Sequence, residues 1–128
     1  SGKLVWKQYC QGENLSLARG LVLGPKGSLY ASGEFGGKGT FPNLPGVNSK
    51  GKTDAFILKM SPVDGKFEKL WTSSGSLFVR GEALRVDALG AIFLGGTFNG
   101  SLTFQTHKTT SKHKSTNRRD IFVARFLP

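Results

Sequence analysis

Gly27-Ser28-Leu29-Tyr30-Ala31-Ser32-Gly33-Glu34-Phe35 returns 63 residues later as Gly90-Ala91-Ile92-Phe93-Leu94-Gly95-Gly96-Thr97-Phe98. Extended both ways at the same shift, residues 18–41 lie on 81–104 with seven identities in 24 positions and no gap. The identities are Leu21/Leu84, Gly27/Gly90, Gly33/Gly96, Phe35/Phe98, Gly37/Gly100, Thr40/Thr103 and Phe41/Phe104. An internal repeat of this size dictates the fold, because each copy is one structural unit that buries its apolar face against the next.

The flanks repeat after small changes of length. Thr53-Asp54-Ala55-Phe56-Ile57-Leu58-Lys59-Met60 resembles Arg119-Asp120-Ile121-Phe122-Val123-Ala124-Arg125-Phe126, and Lys3-Leu4-Val5-Trp6 resembles Glu68-Lys69-Leu70-Trp71. Four strands per copy follow. The first covers 20–23 and 83–86, where alternation predicts burial of Leu21 and Leu23, or of Leu84 and Val86. Turns ending at Gly27 and Gly90 lead to a second strand over 28–35 and 91–98, apolar enough for burial on both faces. Gly33 and Gly96 inside it permit a bulge or a close backbone approach. The third strand covers 54–60 and 120–126, and the fourth 67–72. The segment 4–9 reads as another strand of the fourth type. No stretch sustains a 3.6-residue apolar period, so the class is all-β.

The pattern Gly-x-(Ser/Ala)-(Leu/Ile)-(Tyr/Phe)-x-x-Gly-x-Phe, then Thr-Phe, then Asp-(Ala/Ile)-Phe-(Ile/Val)-x-(Lys/Arg), resembles the β-propeller repeat called SBBP. Asp64-Gly65 and Leu70-Trp71 fit the same family's pattern. The resemblance covers nearly the whole chain and implies two four-stranded antiparallel β-propeller blades, part of a larger or oligomeric propeller; it implies no catalytic activity. On this reading residues 1–10 supply an outer strand completing a neighbouring blade, 11–73 form the first blade, and 74–128 form a second blade lacking its own outer strand. Two blades cannot close a ring, and their open edges favour association. The expected partners are therefore other protein subunits or copies of the same chain.

Eighteen Lys and Arg against eight Asp and Glu give a net charge of +10, which favours anionic partners: RNA, lipid headgroups or an acidic protein. The lone Cys10 excludes an internal disulfide and leaves the compartment open. No apolar run approaches the roughly 20 residues of a membrane-spanning helix.

The clearest candidate site is the loop 107–119. Lys108, Lys112, His113, Lys114, Arg118 and Arg119 stand there without an acid, whereas the matching loop 42–52 has only Lys50 and Lys52. Such a segment reaches phosphates or other anions, and each contact adds salt sensitivity. His107 and His113 lack Cys or acidic companions at ligand spacing, so no metal site is predicted. Asp54 and Asp120 recur at equivalent positions and read as a cap on a turn or a hydrogen bond within each blade rather than an acid/base pair. Trp6 and Trp71 recur as packing residues. The stretch Gly33-Glu34-Phe35-Gly36-Gly37-Lys38-Gly39-Thr40 lacks the spacing of a phosphate-binding loop and precedes no helix, and Cys10 has no histidine partner in the pattern. No catalytic residue and no cofactor is predicted. The expectation is a non-catalytic interaction or scaffold module, an accessory subunit of a larger assembly. The alternative is a lectin-like propeller binding anionic glycans at sites repeated in each blade.

Overall fold

The computed structural model describes residues 1–111 and 118–128. The first copy folds as β1 (Gln11–Gly12), β2 (Leu15–Leu23), β3 (Leu29–Gly36), β4 (Lys38–Thr40), β5 (Val47–Asn48), β6 (Asp54–Met60) and β7 (Phe67–Thr72). The second comprises β8 (Ser74–Gly75), β9 (Phe78–Val86), β10 (Ile92–Asn99), β11 (Ser101–Phe104), β12 (His107–Thr110) and β13 (Asp120–Phe126). Each unit has a main sheet, ordered β2-β3-β6-β7 in the first and β9-β10-β13 in the second. A small three-stranded sheet accompanies each, β1-β4-β5 and β8-β11-β12. All pairings within these sheets are antiparallel. The chain is all-β; its only helical element among the described residues is a 3-10 turn at Pro25–Gly27.

The third and fourth strands have the expected bounds, 54–60 and 120–126 for the third and 67–72 for the fourth. The first strand is longer than expected, and a bulge explains why. Ala18 pairs with Gly33 and Gly20 with Ser32, leaving Arg19 as the extra residue. Gly81 pairs with Gly96 and Ala83 with Gly95, leaving Glu82 in the same role. The extra residue breaks the period of two, so the strand continues on the far side of the break. A Cβ at Gly33 would lie 1.9 Å from the Leu17 carbonyl oxygen, and one at Gly96 equally close to that of Arg80. Only glycine fits either place.

The two main sheets stack. The front of the first sheet carries Tyr30, Ala55 and Ile57, which join Val79, Leu84, Ile92, Leu94 and Phe122 of the second unit in one core. The back of the first sheet carries Phe35, Phe56, Leu58, Met60 and Phe67, which form a second cluster with Phe41 of the small-sheet side. Edge-on contacts join Phe41 to Phe35 and Phe56, with centroids 6.1 and 5.5 Å apart. Phe104 stands against Phe122 and Phe126 at 5.5 and 5.3 Å, so the Phe41–Phe56 contact repeats and Phe126 adds a ring where the first unit has Met60.

Burial on the first strand departs from expectation in one copy. Leu84 is buried and Val86 packs against the core, as predicted. Leu21 and Leu23 are 66% and 68% exposed, a correction to the predicted burial. The cause is the order of stacking. The back of the second sheet lies on the front of the first, while among the described residues no sheet covers Leu21 and Leu23 on the back of the first. Residues 1–10 form no strand in the single chain. They run beside the β6–β7 turn, where Trp6 Nε1 donates to the Pro62 carbonyl at 3.0 Å. Its ring lies against Gly65, which takes a positive φ of 71°.

Candidate interaction surface

The repeat makes every position in one unit a control for its counterpart. On the front of the first sheet, Ala55 and Ile57 of β6 are 0% and 1% exposed because the second unit covers them. Their counterparts on β13, Ile121 and Val123, are 82% and 79% exposed. Tyr30 is buried, whereas Phe93 in its place is exposed, with Arg125 5.7 Å from its ring centroid. The front of the second sheet is thus an exposed apolar sheet face with Arg85 and Arg125 on it.

The edge beside that face is open as well. In the first unit β7 runs along the outer edge of β6, pairing Ile57 with Trp71, Leu58 with Leu70 and Met60 with Phe67. Phe67 and Leu70 thereby close the back cluster. Among the described residues no strand pairs with the outer edge of β13. Along this edge lies a cavity of about 340 Å³ lined by Leu102, Phe104, Phe122, Ala124 and Phe126, with His107 and Lys108 beside them. It occupies the place that Phe67 and Leu70 fill in the first unit.

The basic segment divides. Lys108 sits exposed on β12, and Arg118 and Arg119 are exposed immediately before β13. Lys112, His113 and Lys114 lie outside the described residues. Part of the expected loop is a strand, which corrects that expectation: residues 107–110 pair with β11 through a tight turn in which Gln105 takes a φ of 54°. All four residues of β12 are exposed, so no apolar alternation announces it.

The acids have structural partners. Asp54 is fully buried; its Oδ2 accepts from Lys50 N at 2.7 Å and its Oδ1 from Ser73 Oγ at 3.0 Å. Ser73 Oγ in turn accepts from Ala55 N at 2.9 Å. Burial raises the Asp54 carboxyl above its ordinary value, and these hydrogen bonds oppose the rise. Asp120 is half-buried at the matching start of β13. Burial likewise pushes the Cys10 thiol up, which disfavours the thiolate a nucleophile needs. No group of His, Cys, Asp and Glu suited to a metal ion occurs among the described residues.

One buried cluster escaped the sequence reading. Glu34 has 0% side-chain exposure and lies between two arginines. Arg19 Nη2 donates to Oε1 at 2.8 Å, and the Glu34 bond raises the Arg19 guanidinium above its ordinary value. Arg80 Nε, from the second unit, stands 3.1 Å from Oε2, an ion pair set off the line of a hydrogen bond. The available signal was an acid inside a strand buried on both faces, which requires a cation beside it. None of the described helices is long and apolar enough to cross a membrane. Comparison with family models, curated proteins and solved structures gave no match for this chain.

Proposed function

We propose that the chain is a non-catalytic interaction module, an accessory subunit built from two β-propeller-type blades of the SBBP repeat kind. On this reading it contacts an anionic surface through the basic segment 107–119. The observation that carries the module reading is the contrast between Ala55 and Ile57, covered by a stacked sheet, and Ile121 and Val123, uncovered at equivalent positions. A repeat unit with one bare apolar face and one bare edge is made to receive something. The anionic arm is supported by the net charge of +10 and by the exposed Lys108, Arg118 and Arg119, against Lys50 and Lys52 in the matching loop of the first unit. That one-sidedness favours a single contact region over glycan sites repeated in each blade.

The test is retention of the chain on single-stranded RNA, on phosphatidylserine vesicles and on an acidic polypeptide, each at low and high salt. Retention that weakens with salt, and that falls in a Lys108→Ala, Arg118→Ala, Arg119→Ala variant, supports the anionic contact. Equal retention of variant and parent removes Lys108, Arg118 and Arg119 from it, and equal retention after Lys112, His113 and Lys114 are also replaced by Ala removes the basic segment.

A further inference from the structure

We infer that the bare face and edge of the second unit receive the first unit of a second copy of this chain. The stacking would repeat the one that joins the two units within the chain. This rests on the module reading and goes beyond it by naming the occupant and the register.

The interface already exists once. Within the chain the back of the second sheet, with Leu84 and Val86, lies on the front of the first. The residues equivalent to Leu84 and Val86 are Leu21 and Leu23, large apolar side chains exposed on the first unit. The residues equivalent to the covered Ala55 and Ile57 are Ile121 and Val123, exposed on the second. One chain therefore carries both halves of the contact, on opposite ends, which is the arrangement of a head-to-tail interface.

Details of the two faces agree. In the existing contact a Cβ on Gly20 would lie 3.2 Å from Leu84 Cβ and 2.7 Å from Ser32 Oγ. At the bare face Gly20 becomes Ala83 and Ser32 becomes Gly95, which removes the nearer obstacle. Leu84 becomes Leu21, so Ala83 and Leu21 must stand a few tenths of an ångström further apart than Gly20 and Leu84 do. The buried charge contact also changes as a pair. Glu34, Arg80 and Arg19 correspond to Thr97, Leu17 and Glu82. Stacking a second copy therefore buries no counterpart of the Glu34 carboxylate, and the carboxylate that takes the place of Arg19, on Glu82, is exposed. A larger pair, Ala18 with Ile121 where Gly81 meets Ala55, sets the sheets wider at that end.

The same operation fills the edge. In the first unit β7 lies along β6 and leads directly into β8. The segment equivalent to β7 is Gly2-Lys3-Leu4-Val5-Trp6, which leads with two extra residues into β1. When a second copy's first unit stacks on β9-β10-β13, this segment falls along β13. Val5 then pairs with Ala124 as Leu70 pairs with Leu58, and enters the 340 Å³ cavity. Trp6 pairs with Val123 as Trp71 pairs with Ile57. Leu4 and Val5 are 71% and 80% exposed in the single chain, and the Trp6–Pro62 bond is the tie their movement breaks.

Sedimentation velocity of the full chain at rising salt tests this, because salt screens repulsion between copies of charge +10. The expected result is association into multiples of 13.8 kDa that strengthens with salt. Val123→Glu and Leu21→Glu alter exposed positions, so each variant folds, as circular dichroism verifies, and each alone stays monomeric. Mixed in equal amounts they form a one-to-one complex and nothing larger, since each retains the half that the other has lost. In a Cys10→Ser background, a Val5→Cys copy and an Ala124→Cys copy join by a disulfide under mild oxidation. A monomer at every salt concentration, association untouched by either variant, or a mixture that stays monomeric overturns the inference. Absence of the cross-link overturns the strand register. A monomer that still binds the anionic surface through Lys108, Arg118 and Arg119 overturns this inference and leaves the module reading standing.

Discussion

Arg80 of the second unit stands 3.1 Å from the fully buried carboxylate of Glu34 in the first, so the contact between the units contains a charge pair at the bulge of β2. Glu34→Ala leaves Arg19 and Arg80 facing one another across an emptied site. Removing one partner of a buried pair is far costlier than replacing the pair. Both guanidiniums retain access to water, at 33% and 25% side-chain exposure, so we expect a loss of about 2–4 kcal/mol, reduced from the roughly 3–5 kcal/mol of a fully buried pair. Glu34→Thr combined with Arg80→Leu takes the residues of the equivalent positions and loses less than the two single changes summed. Urea unfolding of the four proteins measures the coupling; strict additivity would disprove it.

Gly33→Ala and Gly96→Ala probe the two bulges. Each new Cβ would meet a backbone carbonyl oxygen at 1.9 Å, and a backbone cannot rotate aside as a side chain can. Either the bulge opens or the strand pairing slips, so each change costs roughly 3 kcal/mol or more. Gly95→Ala, one residue away, meets nothing nearer than Ala83 Cβ at 3.7 Å and serves as the tolerated control. Comparable unfolding midpoints for Gly95→Ala and Gly96→Ala would contradict the bulge assignment.

What could be read before folding was whatever the chain states locally and twice. Asp54 and Asp120 open strands of the expected bounds because each is followed by a similar run of strand-forming apolar residues in both copies. Gly27 and Gly90 take positive φ of 76° and 89° where the turns require it. The exposure of Leu21 was illegible, because the same alternation serves a covered face and a bare one and only stacking order separates them. The Glu34–Arg80 contact was hidden for a related reason: its partners lie in different copies, and neither is repeated. β12 gave no signal because none of its side chains enters the core. The surface proposed for binding is thus where the repeat stops repeating.

The basic segment predicts a salt dependence of defined size. Each cation that neutralises a phosphate releases about one counterion from the nucleic acid. If single-stranded RNA is the anionic partner, replacing Lys108, Arg118 and Arg119 by Ala lowers the slope of log affinity against log salt by about 2 to 3 units. Binding weakens most at low salt and similarly for unrelated sequences, because phosphate contacts carry no base information. A lower affinity at unchanged slope would mean that the three residues act through folding rather than through charge.

Asp54 gives the pH dependence its sign. Burial holds the folded-state carboxyl above its ordinary value of 3.8, against the opposing hydrogen bonds from Lys50 and Ser73. A raised acid favours the folded state while it is protonated. Its stabilising contribution is complete below the unfolded value and is lost as pH rises through the raised folded value. Asp54→Asn is neutral throughout and removes the dependence. It also replaces one acceptor oxygen by an amide that cannot accept, a pH-independent cost of about 1–2 kcal/mol. Subtracting the stability of Asp54→Asn from that of the parent therefore yields a difference that declines with rising pH across this window and is flat above it. Asp64, whose carboxylate is held below its ordinary value chiefly by accepting from Lys66 N, has the opposite dependence: its contribution is present above 3.8 and is lost as pH falls through its lowered value. Both proteins retain it, so it cancels in the subtraction. Urea midpoints of the pair at matched pH values make the measurement. A difference that increases with pH would mean that the hydrogen bonds from Lys50 and Ser73, rather than burial, dominate at Asp54.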